Sequence, residues 1–367
     1  MKSLIFKIMI VFSLAQFSTL SVLHANSQDS LKLGPTEKAT IFQDIQATDL
    51  KSITIQTSLD SIFLNRKNNN TYAGIFIYTN KLGKKVERTI KLEARGKSRR
   101  LYCDFPPLKI SFSGKELLND DLRKKHKSMK LVTHCKEGYA ANQNVLKEFL
   151  AYRMYNELTE NSLRAQLFKI TYQDTNSDNS IEGYAILLED IDELAERRNS
   201  KEVESFGKSF NDFEAENANT LALFQFMIGN VDWKINTQSN LKFIQSTIDN
   251  QLKMIPYDFD SSGLVNPEYA RPFNHLGLYS MKQRLFRGQF LNKKDREKTI
   301  ALFNTKKKQI YSSVKQLKLL NIRNRDTVMA YLDMFYGIIN NKRPLDKAVP
   351  LGNRKPVVSD PTGSISF

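Results

Sequence analysis

The chain has 367 residues, a formal net charge of +16 at pH 7, two cysteines and four histidines. Its length suffices for one large domain or two modest ones, and its basicity favours anionic partners such as nucleotides, phosphorylated surfaces or anionic lipid. The few cysteines and histidines have no zinc-ligand spacing, and no aromatic-interleaved basic motif predicts specific nucleic-acid binding.

The first 25 residues have the layout of a secretory signal peptide. Lys2 and Lys7 accompany a long apolar run, and Ala25 offers a small residue at a cleavage point. We therefore expect residues 1–25 to be removed and the mature protein to be secreted or periplasmic, without a transmembrane segment. A retained membrane anchor is the alternative, because the apolar run barely reaches spanning length.

The two cysteines are interpreted in the light of that compartment. In an oxidising environment an even pair is first expected to form a disulfide, here between Cys103 and Cys135. Two buried free thiols are the alternative.

The pattern between residues 52 and 112 is typical of β-structure. Four segments are short, β-branched and partly alternating, and polar turns separate them: "SITIQT", "AGIFIYT", "RTIKLEARG" and "LKISF". Residues 142–158 then have helical spacing, with Lys147 and Glu148 beside the apolar stripe. "LFKITYQD" and "EGYAILLED" follow as a predicted hairpin.

Helical patterns dominate after residue 190. "TLALFQFMIGN" predicts a buried helix that ends at Gly229, a second hairpin follows, and two amphipathic helices precede a Pro-rich end. The order predicts an α+β fold with a β-rich N-terminal lobe over 26–190 and a mainly helical C-terminal lobe over 191–345. Residues 346–367 are expected to form a loosely held tail.

Polar side chains cluster around the second predicted hairpin. Asp232 precedes it, Asn240 lies at its start and Asp258 at its end, so the hairpin should bring them together. Carboxylate and amide oxygens suit Mg²⁺, and a carboxylate not bound to metal could accept a proton from an attacking hydroxyl. The alternative is an ordinary Asx-rich turn, in which these side chains satisfy backbone groups.

The same segments resemble the spore-coat protein H (CotH) kinase-like family. The resemblance covers about residues 50–290 and depends on "EARGKSRR", "PPLKISF", "NVLKEFLAYRMYNEL", "GNVDW" and "PYDFDSSGLVN". It implies an atypical, two-lobed protein-kinase-like fold that binds ATP or another nucleotide with Mg²⁺ or Mn²⁺.

The resemblance also implies roles for individual residues. Asp232 matches the catalytic aspartate and Asp258 the metal-binding aspartate, while Asn236 or Asn240 matches the second metal ligand.

Further implied roles concern the phosphates. Lys109 and Glu148 match the lysine–glutamate pair that positions them, and Arg95 or Arg99 could carry part of that role. One departure is that no glycine-rich phosphate loop is seen, since Gly96 stands alone in its segment.

The expected function is a secreted, metal-dependent phosphotransferase that moves a nucleotide phosphoryl group to a hydroxyl, with a protein as the expected acceptor. The alternative is a non-catalytic kinase-fold module for binding or assembly at the cell envelope. The missing glycine-rich loop favours the alternative, whereas the presence of both Asp232 and Asp258 favours the enzyme.

Overall fold

The structure is a computed structural model that describes residues 38–45, 50–96 and 99–341, and the backbone of 358–359 and 365–366. The predicted signal peptide lies outside the described residues, as does most of the predicted tail. The residues from Lys38 onward belong to one compact unit.

Seven strands form a closed barrel in the N-terminal half of the described chain. Their order around the barrel is β1-β2-β3-β4-β5-β7-β6, and β6 closes it by pairing with β1 in parallel. In β3 and β4 buried and more exposed residues alternate, as expected for strands with one face toward a core. The barrel strands are β1 Lys51–Thr57, β2 Thr71–Thr79, β3 Lys85–Ala94, β4 Leu108–Phe112, β5 Ser128–Val132, β6 Ala165–Asp174 and β7 Ser180–Leu188.

The long helix α5 begins earlier than the sequence predicts. It runs from Tyr139 to Leu158 and packs against β7 of the barrel and against α8. The described α-helices are α1 Ile41–Ile45, α2 Leu59–Leu64, α3 Arg99–Tyr102, α4 Gly114–Asn119, α5 Tyr139–Leu158, α6 Ile191–Arg197, α7 Ala215–Ile228, α8 Lys293–Gln316 and α9 Ile322–Asn340.

Helix α7 is enclosed by other elements, and eight of its apolar residues lie in the hydrophobic core. It ends at Gly229, whose φ of 64° lies in the left-handed region that glycine adopts without strain. The end of this helix therefore agrees with the sequence prediction.

A three-stranded sheet carries the second predicted hairpin. Strands β9 and β10 pair in antiparallel register, with Leu241 opposite Pro256, and β8 adds to the other edge of β9. The remaining strands are β8 Ser200–Val203, β9 Leu241–Ser246, β10 Leu252–Pro256, β11 Arg284–Leu285, β12 Val358–Ser359 and β13 Ile365–Ser366. Two 3₁₀ turns span Phe210–Asp212 and Asn274–Leu276.

The predicted α+β class is confirmed, and so is the predicted disulfide between Cys103 and Cys135. The barrel ends with β7, and α6 begins at Ile191. A search of the described part of the chain finds no helix with the length and apolarity needed to cross a bilayer.

Candidate functional site

Asp232 and Asn240 are joined by hydrogen bonds in the loop between α7 and β9. The Nδ2 of Asn240 donates to the backbone carbonyl of Asp232 at 2.6 Å and to its carboxylate Oδ2 at 3.1 Å. The backbone N–H of Asp232 donates to the Oδ1 of Asn230 at 2.9 Å. These bonds hold the Asp232 carboxylate beside the first strand of the hairpin.

The hairpin brings Asp258 to the same end. The backbone N–H of Tyr257 donates to the carbonyl of Asn240 at 3.2 Å, which continues the β9–β10 pairing by one residue. Asn240 and Asp258 have φ angles of 54° and 65°, in the left-handed region where Asn and Asp are enriched among non-glycine residues. The predicted proximity of these two residues is therefore found in the structure.

A tyrosine of helix α5 forms a hydrogen bond with the backbone of Asp258. The backbone N–H of Asp258 donates to the Oη of Tyr152 at 2.9 Å, and the Tyr152 ring packs on Phe259 with centroids 4.7 Å apart. A strained backbone conformation persists only where its surroundings determine it, and Tyr152 supplies part of that restraint.

Three carboxylates interact unfavourably at this end of the hairpin. Burial, followed by repulsion from Asp260, raises the pKa of Asp258 to about 6, against the opposing effects of Arg95 and Arg99. Burial and Asp260 also raise the pKa of Asp232. Like charges that share a partly buried site favour the protonated form, so this cluster has an excess of negative charge that a bound cation would relieve.

Glu148 on α5 pairs with an arginine. Its side chain is buried, its Oε2 lies 4.0 Å from Nη1 of Arg99, and Nε of Arg99 lies 3.7 Å from Oδ2 of Asp260. Asp260 also accepts a hydrogen bond from the Oη of Tyr269 at 2.9 Å. Burial and then Asp260 raise the pKa of Glu148, while Arg99 lowers it. Arg99 is thus the partner that the structure gives to Glu148.

The structure does not bring Lys109 to this cluster. Its side chain is almost half exposed on the outer face of β4, where its Nζ lies 3.9 Å from Oε2 of Glu93. The pairing expected between Lys109 and Glu148 is therefore absent from the described contacts, because β4 directs Lys109 toward Glu93 and solvent.

Lys130, on the neighbouring strand β5, lies closer to the acidic residues. It is directly opposite Lys109 in the β4–β5 register, and its Nζ is 3.9 Å from the centre of the Tyr257 ring. Burial, then Arg95 and Lys242, lower its pKa to about 7, and Asp258 acts in the opposite direction. Sequence analysis missed Lys130, although the alternation in "SMKLV" is a weak sign of the strand that carries it.

Arg95 and Asn236 differ in their relation to the site. Arg95 follows β3, its backbone N–H donates to Pro107, and its charge lowers the pKa of Asp258. Asn236 is exposed, and its backbone carbonyl accepts from Gly207. Of the two asparagines that the sequence offers, Asn240 is the one that contacts Asp232.

No group of three His, Cys, Asp or Glu side chains within the described ranges is arranged to hold a metal ion by itself. Mg²⁺ in phosphate-transferring proteins is commonly held by one or two carboxylates together with substrate phosphates and water. The oxygen donors and the excess negative charge around Asp258 fit such a shared ion.

Comparisons with known proteins give little further information. No family model and no curated protein matches the chain. One solved structure to which the chain is similar is a proinflammatory kinase, CtkA, from Helicobacter pylori, with 8% identity and a TM-score of 0.31. The match covers 74% of this chain and 89% of that chain.

Proposed function

We propose that the protein is a kinase-like phosphotransferase that acts outside the cytoplasm and moves a nucleotide phosphoryl group to a hydroxyl. The observation that carries this proposal is the Asp232–Asn240 hydrogen-bonded pair beside Asp258 at one end of the β9–β10 hairpin. Kinase-type chemistry needs one aspartate to accept the proton of the attacking hydroxyl. It needs a second aspartate, together with an asparagine, to bind the metal ion.

The proposed phosphate-binding groups belong to the barrel. Lys130 takes the role that the sequence suggested for Lys109, because its ammonium group is electrostatically coupled to Asp258 and Arg95. A half-buried lysine and a half-buried arginine provide charge-assisted contacts to phosphate oxygens. In this arrangement the barrel and the hairpin-bearing part act as the two lobes of a kinase-like cleft, with the phosphates of the nucleotide beside Lys130, Arg95 and Asp258.

The proposed metal-binding groups are Asp258 and Asn240. Since the Nδ2 of Asn240 donates to Asp232, its Oδ1 is the atom suited to a cation. When bound, Mg²⁺ or Mn²⁺ would neutralise negative charge on the phosphate oxygens of the nucleotide. Relief of the repulsion around Asp258 supports this role, since burial and then the neighbouring Asp260 raise the pKa of Asp258.

Asp232 is the proposed proton acceptor. The acceptor hydroxyl oxygen forms the new bond to the terminal phosphorus, the bond from that phosphorus to the bridging oxygen breaks, and the nucleoside diphosphate leaves. The hydroxyl proton passes to the Asp232 carboxylate, which Asn240 keeps in place. A protein is the proposed acceptor. Catalysis of this kind depends mainly on positioning and electrostatics, so the surface around the site determines which acceptor is bound.

The test is calorimetric titration of the full chain with ATP, with and without Mg²⁺ or Mn²⁺. We expect metal-dependent binding that weakens at least about 10-fold in Asp258→Asn, because one charge-assisted ligand contributes roughly 1.5–3 kcal/mol. Asparagine also tolerates the left-handed φ of this position, so the variant removes charge without adding backbone strain.

The matched control is Asp249→Asn, in the exposed turn at the opposite end of the same hairpin. It makes the same chemical change and should leave ATP affinity within about twofold, given that an exposed distant charge is screened by salt. Absence of ATP binding by the folded protein under every metal condition would contradict the proposal. The chain would then be better described as a non-catalytic binding or assembly module of the cell envelope.

A further inference from the structure

A cavity of about 420 Å³ lies behind the acidic cluster, between α3, the N-terminal half of α5 and the segment Val265–Arg271. This volume is within the range of small-molecule sites. Its walls include Ala141, Val145 and Val265, which can cover an aliphatic chain. The proposed phosphate and metal groups Lys130, Arg95 and Asp258 do not line it, so the cavity is distinct from the proposed cleft.

The buried end of the cavity contains a carboxylate oxygen that lacks a hydrogen-bond donor. Glu148 is 2% exposed and lines the cavity, and its Oε1 has no hydrogen-bond partner among the described residues. A buried polar atom without a partner is costly, and in native proteins it calls for a water, an ion or a ligand. The missing partner must be a donor, because a carboxylate oxygen accepts.

The charges at the buried end favour a cation over an anion. Two carboxylates, Glu148 and Asp260, face a single guanidinium, that of Arg99. The Nη2 of Arg99 donates to the backbone carbonyl of Thr133 at 2.5 Å, while its Nε lies 3.7 Å from Oδ2 of Asp260 and forms no hydrogen bond with any described residue. An anionic ligand would meet a net negative charge there, whereas an ammonium or guanidinium group would meet an unpaired acceptor.

The exposed end of the cavity offers a second place for positive charge. Lys136 is paired with Asp104 at 3.3 Å, and Nη1 of Arg271 donates to the backbone carbonyls of Glu268 and Ala270. Glu137 also lines this end, and it forms no ion pair with any described residue. The exposed end therefore has carboxylates available while its basic groups are occupied.

We propose that this cavity binds a small aliphatic dication, with an ammonium or guanidinium group against Glu148 and a second cationic group near Glu137 and Glu268. The site goes beyond the proposed phosphotransfer and requires no nucleotide.

The experiment is calorimetric titration of the full chain with agmatine, which has a guanidinium and an ammonium on a four-carbon chain, in the absence of nucleotide. Butane-1,4-diol, of similar length and without charge, serves as the comparison ligand. We expect agmatine to bind and butane-1,4-diol not to bind.

Two variants change the site in different ways. Glu148→Gln removes the charge at the buried end, and Ala141→Leu fills the cavity while leaving Glu148 unchanged. Each should raise the dissociation constant for agmatine at least 10-fold. The matched control is Glu157→Gln on the same helix, which lies nine residues, or about two and a half turns, from Glu148 and therefore on the opposite face.

Thermal unfolding of every variant shows that each protein is folded before its affinity is interpreted. Agmatine binding that is unchanged in both Glu148→Gln and Ala141→Leu would overturn the proposal. So would equal affinity for butane-1,4-diol, or no binding of agmatine by the folded parent protein. ATP binding is measured separately, so the fate of the proposed phosphotransfer does not decide this result.

Discussion

At the scale of single residues, the candidate site contains two groups that titrate near neutral pH for opposite reasons. Burial and neighbouring positive charges lower the pKa of Lys130 to about 7. Burial and neighbouring carboxylates raise the pKa of Asp258 to about 6. Perturbed groups of this kind, close together in one site, are typical of functional centres.

These two groups predict a narrow pH optimum for nucleotide binding. Lys130 binds phosphate best when charged, and in the free protein its charge is lost as the pH rises through 7. Asp258 binds metal when ionised, and its charge is lost as the pH falls through 6. Calorimetry of metal–ATP binding between pH 5 and 9 should show the highest affinity between about 6 and 7, with a decline of up to ~10-fold per pH unit above it.

The alkaline limb of that profile has a specific control. Lys130→Arg keeps its positive charge at every pH tested and should abolish the decline above pH 7, while Lys109→Arg should leave the profile unchanged. An unaltered alkaline limb in Lys130→Arg would show that Lys130 does not contact the nucleotide.

The contrast between these lysines shows how far sequence analysis reaches at this scale. Asp232, Asn240 and Asp258 could be grouped from the sequence because a short hairpin brings them together, and the structure agrees. The position of Lys130 depends on β5 packing near Tyr257, more than a hundred residues later in the chain. Only the three-dimensional arrangement of the strands shows that Lys130, and not Lys109, lies beside Tyr257.

At the scale of elements, α5 connects the barrel with the acidic cluster. Glu148 and Tyr152 are four residues apart, so they lie on one face of the helix. Glu148 interacts with Arg99, and Tyr152 accepts the hydrogen bond from Asp258. One face of α5 thus positions both Arg99, through Glu148, and Asp258, through Tyr152.

A pair of buried tyrosines on this helix provides a test of that role. Tyr152→Phe removes the acceptor of the Asp258 N–H and should lower the free energy of unfolding by about 1–2 kcal/mol. Tyr155→Phe should leave it unchanged or raise it, because the buried Tyr155 Oη has no partner among the described residues. Urea denaturation of both variants makes the comparison, and equal effects would exclude a special role for the Tyr152 hydroxyl.

The elements themselves were predicted unevenly. Segments with strong β-branched alternation, such as β2, β3 and β6, were recognised, as was α5. Strand β5 was missed because it is short and its barrel neighbours β4 and β7 supply the pairing that stabilises it. Strand β8 was interpreted as part of a helical region, since its four residues gain their extended form from pairing with β9.

At the scale of the whole molecule, closure of the barrel is the feature that is hardest to predict from the sequence. The closing pair β1–β6 is parallel, with Ile53 opposite Ile170, and no local pattern indicates which distant strand a given strand will join. Closure leaves no free barrel edge for pairing with another chain, which is a common way for β-structure to avoid aggregation.

The disulfide acts on the whole chain through its unfolded state. Cys103 and Cys135 are 32 residues apart, and a cross-link over a loop of that length is expected to stabilise the fold by roughly 3–4 kcal/mol in the chain-entropy description. The Cys103→Ala/Cys135→Ala double variant should lose about that much free energy of unfolding in urea denaturation. A reducing agent should destabilise the parent protein by a similar amount and leave the double variant unchanged. A loss below about 1 kcal/mol would mean that the loop is already restricted when the chain is unfolded.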